Sequence, residues 1–267
     1  MFYQSIRIQI AIITKLINNT KFKIDKGDHL LDTHTHILWN IDDGSKNQCM
    51  SLQMLEIAAR SGTKAIFATP HVIERANKPS WEEIKEKTQQ LRQLCAEAQI
   101  DIMLYPGAEV QMNWELLPEL GATGAYCLNG GRYLLIELPA AEIPAYADEF
   151  WYELELKGIT PILAHPERYQ QLRENPDLLL LWRRRGMLIQ CNSGSFTGMF
   201  GSSVCENAKV LLANGLVDLL GSDGHRSEGR NTDMSRAAAV IRQLAGEEVL
   251  RQLTETNPQA ILKNQEI

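Results

Sequence analysis

Cysteine is sparse in this chain and carries no pattern. Five residues in 267 (Cys49, Cys95, Cys127, Cys191 and Cys205) form no close pair, and none has an arginine six positions on. The first absence argues against a disulfide framework and for a reducing compartment. The second removes the Cys-x5-Arg loop on which thiolate phosphatases depend. A Gly-x-Gly-x-x-Gly after the first predicted strand and a Walker-type loop are also missing, so the nucleotide-binding open sheets lack support. There is no basic tract, and the net charge is −6. Nucleic acid and anionic membranes are therefore poor partners.

Nor is there an apolar run long enough to cross a bilayer. Ile6 to Ile17 comes nearest, but Arg7 and Lys15 interrupt it and no small-residue cleavage site follows. Ile6, Ile10, Ile13 and Ile17 stand at helical spacing. They predict an amphipathic helix packed on the domain, with attachment to a membrane surface as the alternative. Lys21 to Asp28 reads as a polar linker. The expected organisation is an N-terminal extension over 1–28 and a single domain over 29–267. The expected location is cytoplasmic, with peripheral association at the inner membrane face left open, as is homo-oligomerisation.

The chain does hold an apolar run that ends in two histidines, Leu-Leu-Asp-Thr-His34-Thr35-His36. As a strand, its period of two puts both imidazoles on one face. Two adjacent imidazoles begin a metal site; a polar strand end that happens to hold two histidines is the other reading.

The remainder repeats one arrangement. Strands are predicted at Leu30–His36, Ala65–Thr69, Ile100–Tyr105, Tyr133–Ile136, Ile159–Ala164, Met187–Cys191 and Val217–Leu220. Helices follow at about Ser45–Ser61, Trp81–Ala98, Ala145–Lys157, before Gly186, and at Val204–Ala213. Met234–Leu244 and Glu247–Thr254 close the chain. Seven strand-then-helix units without a composition shift suggest one α/β barrel, with a doubly wound open sheet as runner-up.

His34, His36, His71, Glu109, Glu137, His165, Asp223 and His225 all fall at or just past the end of a predicted strand, and Asp43 lies in the first loop. In a parallel barrel these ends share one rim. Imidazoles and carboxylates without thiolates suit Mn, Fe, Zn or Co. Nine donors exceed one tetrahedral site, so two or three ions sharing bridging carboxylates are expected. Such a cluster lowers the pKa of water and clamps oxygens in a displacement at phosphorus. Arg168 and Arg230 lie on the same rim, where guanidinium groups match phosphate oxygens; as plain surface arginines they would need no such role.

These motifs resemble a known family. His34-x-His36, Ile41-Asp42-Asp43-Gly44-Ser45, Thr69-Pro70-His71, Pro106-Gly107-Ala108-Glu109, Glu137-Leu138-Pro139, His165-Pro166-Glu167-Arg168-Tyr169 and Ser222-Asp223-Gly224-His225 are similar to the PHP superfamily. Within it they most resemble the bacterial metal-dependent protein-tyrosine phosphatases of capsule and exopolysaccharide loci, from about Leu30 to Asn257-Pro258. The resemblance implies a distorted seven-stranded (β/α) TIM-like barrel, the PHP fold, with up to three ions, Mn2+ first. One ion would be held by His34, His36, Glu109 and Asp223. A second would share Glu109 and add Glu137 and His165, and a third would take Asp43, His71 and His225. Arg168 and Arg230 would grip phosphate, and with His225 they make up the expected catalytic set. The implied partner is the phosphotyrosine tail of a bacterial tyrosine autokinase. Two departures, Leu38-Trp39-Asn40 for the usual Leu-Pro-Gly and Val110 for an aromatic, are expected to alter the substrate mouth. The rivals are a small phosphomonoester phosphatase of the histidinol-phosphate type, a nuclease, which the acidic charge disfavours, and a non-catalytic metal-dependent scaffold.

Overall fold

The structure, a computed structural model, describes residues 29–120 and 124–267. The expected N-terminal helix and linker lie outside the described residues. Nine short strands are present: β1 (Leu30–Thr35), β2 (Thr63–Ala68), β3 (His71–Val72), β4 (Met103–Pro106), β5 (Glu109–Gln111), β6 (Tyr133–Glu137), β7 (Thr160–Ala164), β8 (Leu188–Asn192) and β9 (Leu219–Gly221). Every pairing between them is parallel, in the orders β1-β2-β4 and β3-β5-β6-β7-β8-β9.

Two of the expected strands, Ala65–Thr69 and Ile100–Tyr105, are each followed by a short second strand that was not expected, and proline chemistry explains one break. Pro70 has no N–H to give a ladder, so β2 stops and β3 restarts at His71. Gly107 and Ala108 separate β4 from β5 at the same level. Single hydrogen bonds bridge the gap: Thr69 N to Thr35 O at 2.8 Å, Gly107 N to Ala68 O at 3.0 Å and Glu109 N to Pro70 O at 3.0 Å. The sheet curls until its last strand meets its first. Asp223 N donates to His34 O at 2.7 Å and His36 N to Gly224 O at 2.9 Å.

Helices cover the outside: α1 (Gln48–Arg60), α2 (Trp81–Glu97), α3 (Ala147–Leu156), α4 (Gln170–Glu174), α5 (Pro176–Arg184), α6 (Ser193–Phe196), α7 (Ser202–Ala213), α8 (Ser235–Ala245), α9 (Glu247–Arg251) and α10 (Asn257–Leu262). The first begins three residues later than expected because Asn47 caps it, its side chain accepting from Met50 N. The single helix expected before Gly186 is two, since Pro176 suits a helix start and not an interior. The closing helix runs on through a π turn, Gln252–Thr256, into α10.

Strand alternation sorts the core into two sides. Leu134, Ile136, Leu163 and Leu220 pack among the helix residues. Tyr133, Leu135, Ile162, Ala164 and Leu219 form the inner cluster, with Ile261 of α10 among them. The inner cluster fills the barrel at strand level, which leaves the C-terminal rim for polar groups.

Candidate metal centre

On β1, His34 and His36 are fully buried, as the period-two reading requires. Their outward nitrogens are spoken for: His34 Nδ1 pairs with Gln190 Oε1 at 3.1 Å and His36 Nδ1 with Asp42 Oδ2 at 2.7 Å. Both acceptors take the Nδ1–H, so both Nε2 lone pairs aim at one point, 3.1 Å apart. Glu109 Oε2 lies 3.2 Å from each of these nitrogens, and Asp223 Oδ1 lies 3.5 and 3.3 Å away. Four donors about 2.1 Å from one ion at tetrahedral angles would stand about 3.4 Å from each other. His34, His36 and Asp223 form one donor group at spacings that suit a cation, with Glu109 beside its two imidazoles.

The remaining donors continue from this corner. Glu109 reaches His165 Nε2 through Oε1 at 2.8 Å and His71 Nδ1 through Oε2 at 3.0 Å. Glu137 Oε1 is 3.4 Å from His71 Nδ1. Asp43 Oδ1 is 3.4 Å from His225 Nε2 and 3.7 Å from His71 Nε2. The structure thus brings together all nine residues singled out in the sequence, in four overlapping donor groups. The grouping differs from the resemblance: His165 and Glu137 meet Glu109 from separate sides, one with His34 and the other with His71; His36 also joins Asp43, His71 and His225; and Glu109 stands outside the group of His34, His36 and Asp223.

Orphaned polar atoms test whether ions fit. Glu109 Oε2, Asp223 Oδ1, His71 Nδ1 and His225 Nε2 are buried without a hydrogen-bond partner. Such atoms cost free energy unless something satisfies them, and all four face the cluster. Charge points the same way. Burial opposes ionisation of Glu109 and Asp223, yet the neighbouring imidazoles hold both carboxyls well below their usual range. Burial likewise opposes protonation of His34 and His36, but the adjacent carboxylates raise both, and His71 is raised to about 10 by Glu109 and Glu137. The carboxylates demand positive charge, and divalent cations fit that demand.

Backbone geometry aims these side chains. His165 (φ 38°), directly after β7, and Asp223 (φ 53°), two residues after β9, take the left-handed conformation, a strained choice for residues other than glycine. Gly44 is required by close approach, because a Cβ there would stand 2.2 Å from His36 O. Asn40, in the place of a glycine by resemblance, takes φ 51°, which asparagine tolerates. Trp39 and Val110 are both buried, and neither lines the cavity above the cluster.

That cavity has a volume of about 380 Å3, and its wall includes Arg168 and Arg230. Both guanidinium groups bond Asp223 Oδ2, Arg168 at 3.2 Å. Both also stack on Phe200, their Cζ atoms 4.6 and 5.6 Å from the ring centre. His225 donates Nδ1–H to Asp223 O at 3.0 Å, and burial together with the neighbouring His36 pushes its pKa down to about 4.

Sequence reasoning missed the supporting residues. Asp42 stood inside a quoted motif without a role. Gln190, Asn192, which donates to Asp223 Oδ2 at 2.6 Å, and Phe200 gave no sign. Glu167 is fully buried and anchors the loop of Phe200, accepting from Ser195 Oγ at 2.6 Å and Asn192 N at 2.9 Å. Period two on β8 could have flagged Gln190 and Asn192 as inward-facing polar groups beside Glu167.

A curled parallel sheet with imidazoles, carboxylates and two guanidinium groups gathered at its C-terminal rim defines an α/β protein with a centre suited to divalent cations. Comparison with known proteins specifies the family. The chain belongs to the capsular polysaccharide synthesis family CpsB/CapC, whose model matches residues 30–263. It is 34% identical over 238 residues to tyrosine-protein phosphatase YwqE of Bacillus subtilis, covering 89% of this chain and 93% of that one. Among solved structures it is similar, with TM-score 0.84, 34% identity and 89% and 96% of the two chains covered, to one of the crystal structures of YwqE from Bacillus subtilis and CpsB from Streptococcus pneumoniae, described as unique metal-dependent tyrosine phosphatases. Histidinol phosphate phosphatase from Lactococcus lactis shares the fold at TM-score 0.55 and 17% identity, over 82% of this chain and 94% of that one.

Proposed function

We propose that the chain is a metal-dependent protein-tyrosine phosphatase acting on a tyrosine-phosphorylated protein of capsule or exopolysaccharide synthesis. The observation that carries this reading is the meeting of nine histidine and carboxylate donors with two guanidinium groups in one cavity. The family's names, tyrosine-protein phosphatase and capsular polysaccharide synthesis, support it. The finer reading names the Tyr-rich tail of a bacterial autokinase as substrate, Mn2+ as the preferred ion and the cytoplasm as location. Among the described residues no helix is long and apolar enough to cross a membrane. The finer reading also counts β2 with β3 and β4 with β5 as two interrupted strands, which would make the barrel seven-stranded as the resemblance implies.

By the resemblance His34, His36, Glu109 and Asp223 would hold one ion, Glu109 with Glu137 and His165 a second, and Asp43, His71 and His225 a third. Bound there, the ions supply Lewis acidity and a water of lowered pKa. Arg168 and Arg230 bind the phosphoryl oxygens and offset their growing charge. Phe200 holds the guanidinium planes. Asp42 and Gln190 fix the tautomers of His36 and His34. His225 is neutral at pH 7 with Nδ1–H committed, a form suited to donating a lone pair and not a proton. A phenolate of pKa about 10 departs with less protonation than a serine alkoxide, which favours phosphotyrosine.

The test is turnover of phosphotyrosine and phosphoserine peptides with Mn, Zn, Fe and Mg, and of histidinol phosphate beside them. Phosphotyrosine turns over fastest, and Glu109→Gln loses at least a hundredfold. Full activity of that variant under saturating metal refutes the mechanism. A faster rate on histidinol phosphate favours the small-substrate rival, and no turnover with any ion favours a binding scaffold.

A further inference from the structure

The cavity has a third guanidinium. Arg173, near the end of α4, lines it beside Arg168, Tyr169 and Gln170. Its Nη1 donates to Arg168 O at 2.8 Å and to Glu167 O at 3.3 Å, so the side chain is tied to the loop that carries Arg168. Among the described residues its Nε and Nη2 have no protein acceptor, and no carboxylate neutralises it. The nearby Glu174 accepts from Gln170 Nε2 at 2.7 Å instead.

Hydrolysis does not call on this group. In the proposed reading Arg168, Arg230 and the metal centre would already meet the phosphoryl oxygens, so a further cation on the wall exceeds what one phosphate needs. A phosphotyrosine that reaches the cluster brings its neighbours in sequence to that wall. We propose that Arg173 forms a second anion subsite, which selects substrates bearing a negatively charged residue, a carboxylate or another phosphate, close to the phosphotyrosine. The tether through Nη1 fixes the fork in place, so the two free donor nitrogens are presented with little loss of side-chain freedom.

The inference rests on the phosphotyrosine reading, and its test separates the two. Three peptides differ only beside the phosphotyrosine: neutral, aspartate, or a second phosphotyrosine. In the wild type kcat/KM for the anionic peptides exceeds that for the neutral one by about tenfold, mostly through KM and less so at high salt. The larger gain identifies carboxylate or phosphate as the favoured group. In Arg173→Gln the ratio falls to about one. Arg173→Lys, which keeps a donor for the two carbonyls and loses the fork, retains part of it. An unchanged ratio in a folded Arg173→Gln protein, checked by thermal melting, overturns the subsite. If the wild type hydrolyses none of the peptides, the phosphatase reading falls separately. Binding of the same peptides as non-hydrolysable phosphonates then still measures the flank preference, and equal affinities overturn the proposal.

Discussion

Asp42→Asn probes the least expected support of the cluster. The carboxylate is buried and uses both oxygens: Oδ2 accepts from His36 Nδ1 at 2.7 Å and His71 N at 2.9 Å, and Oδ1 from Gly44 N at 2.8 Å. Asparagine matches the shape but keeps one acceptor. Whichever way the amide turns, its NH2 faces an N–H, so one buried donor loses its partner, at about 1–3 kcal/mol of stability. The negative charge that makes His36 a better donor at Nε2 is also lost. Removing such a supporting carboxylate typically lowers metal affinity about 10- to 100-fold. At 1.4 kcal/mol per tenfold that is about 1.4–2.8 kcal/mol. The measurement is competition of Mn and Zn against a chelator at pH 7, paired with thermal unfolding without metal. Wild-type affinity together with an unchanged melting point would refute the assignment of Asp42 to His36.

Metal binding is also expected to depend on pH, with a definite sign. Glu109 and Glu137 hold His71 up at about 10, so it carries a proton at pH 7, while His225, at about 4, does not. Ligation needs neutral rings, so loading expels the His71 proton and affinity weakens as pH falls; calorimetry in buffers of different ionisation heat should count at least one proton released, and zero would contradict the charge reading. Phe200→Ala removes the face on which two guanidinium groups stack, worth about 0.5–1 kcal/mol each at partly exposed sites. That change should lower kcat/KM about 5- to 30-fold and weaken inhibition by inorganic phosphate, with bound metal unchanged and Phe200→Tyr near wild type.

The candidate donors were legible in the sequence because strand ends leave local marks. An apolar run stops, a glycine or proline follows, and an imidazole or carboxylate stands at the stop. His71, Glu109, His165 and Asp223 each carry that signature, His34 stands at a stop without the glycine or proline, and the barrel rule says which ends share a rim. The breaks at Pro70 and Gly107-Ala108 were less legible, since a run such as Ala65–Thr69 does not say whether pairing resumes beyond its proline.

The supporting shell left weaker traces. Asp42 and Asp43 are adjacent and identical in type, yet one binds His36 from behind and the other faces the cavity 3.4 Å from His225. Only the turn built around Gly44 decides which does which. Gln190, Asn192 and Phe200 are ordinary residues in sequence. They matter because β8 lies between β7 and β9, and because Glu167 draws the loop after it down toward the arginines.

By itself the sequence determined the parallel α/β architecture, the nine donors and the two arginines, all of which follow from local pattern and residue chemistry. Only the tertiary structure decided how the donors group, which nitrogen of each imidazole faces inward, and that Arg173 shares the cavity. Many of those are relations between residues far apart in sequence, as His34 and Gln190 are at 156 positions, and the closing of the sheet creates them. A linear pattern can name the groups that meet; the distances at which they meet belong to the fold.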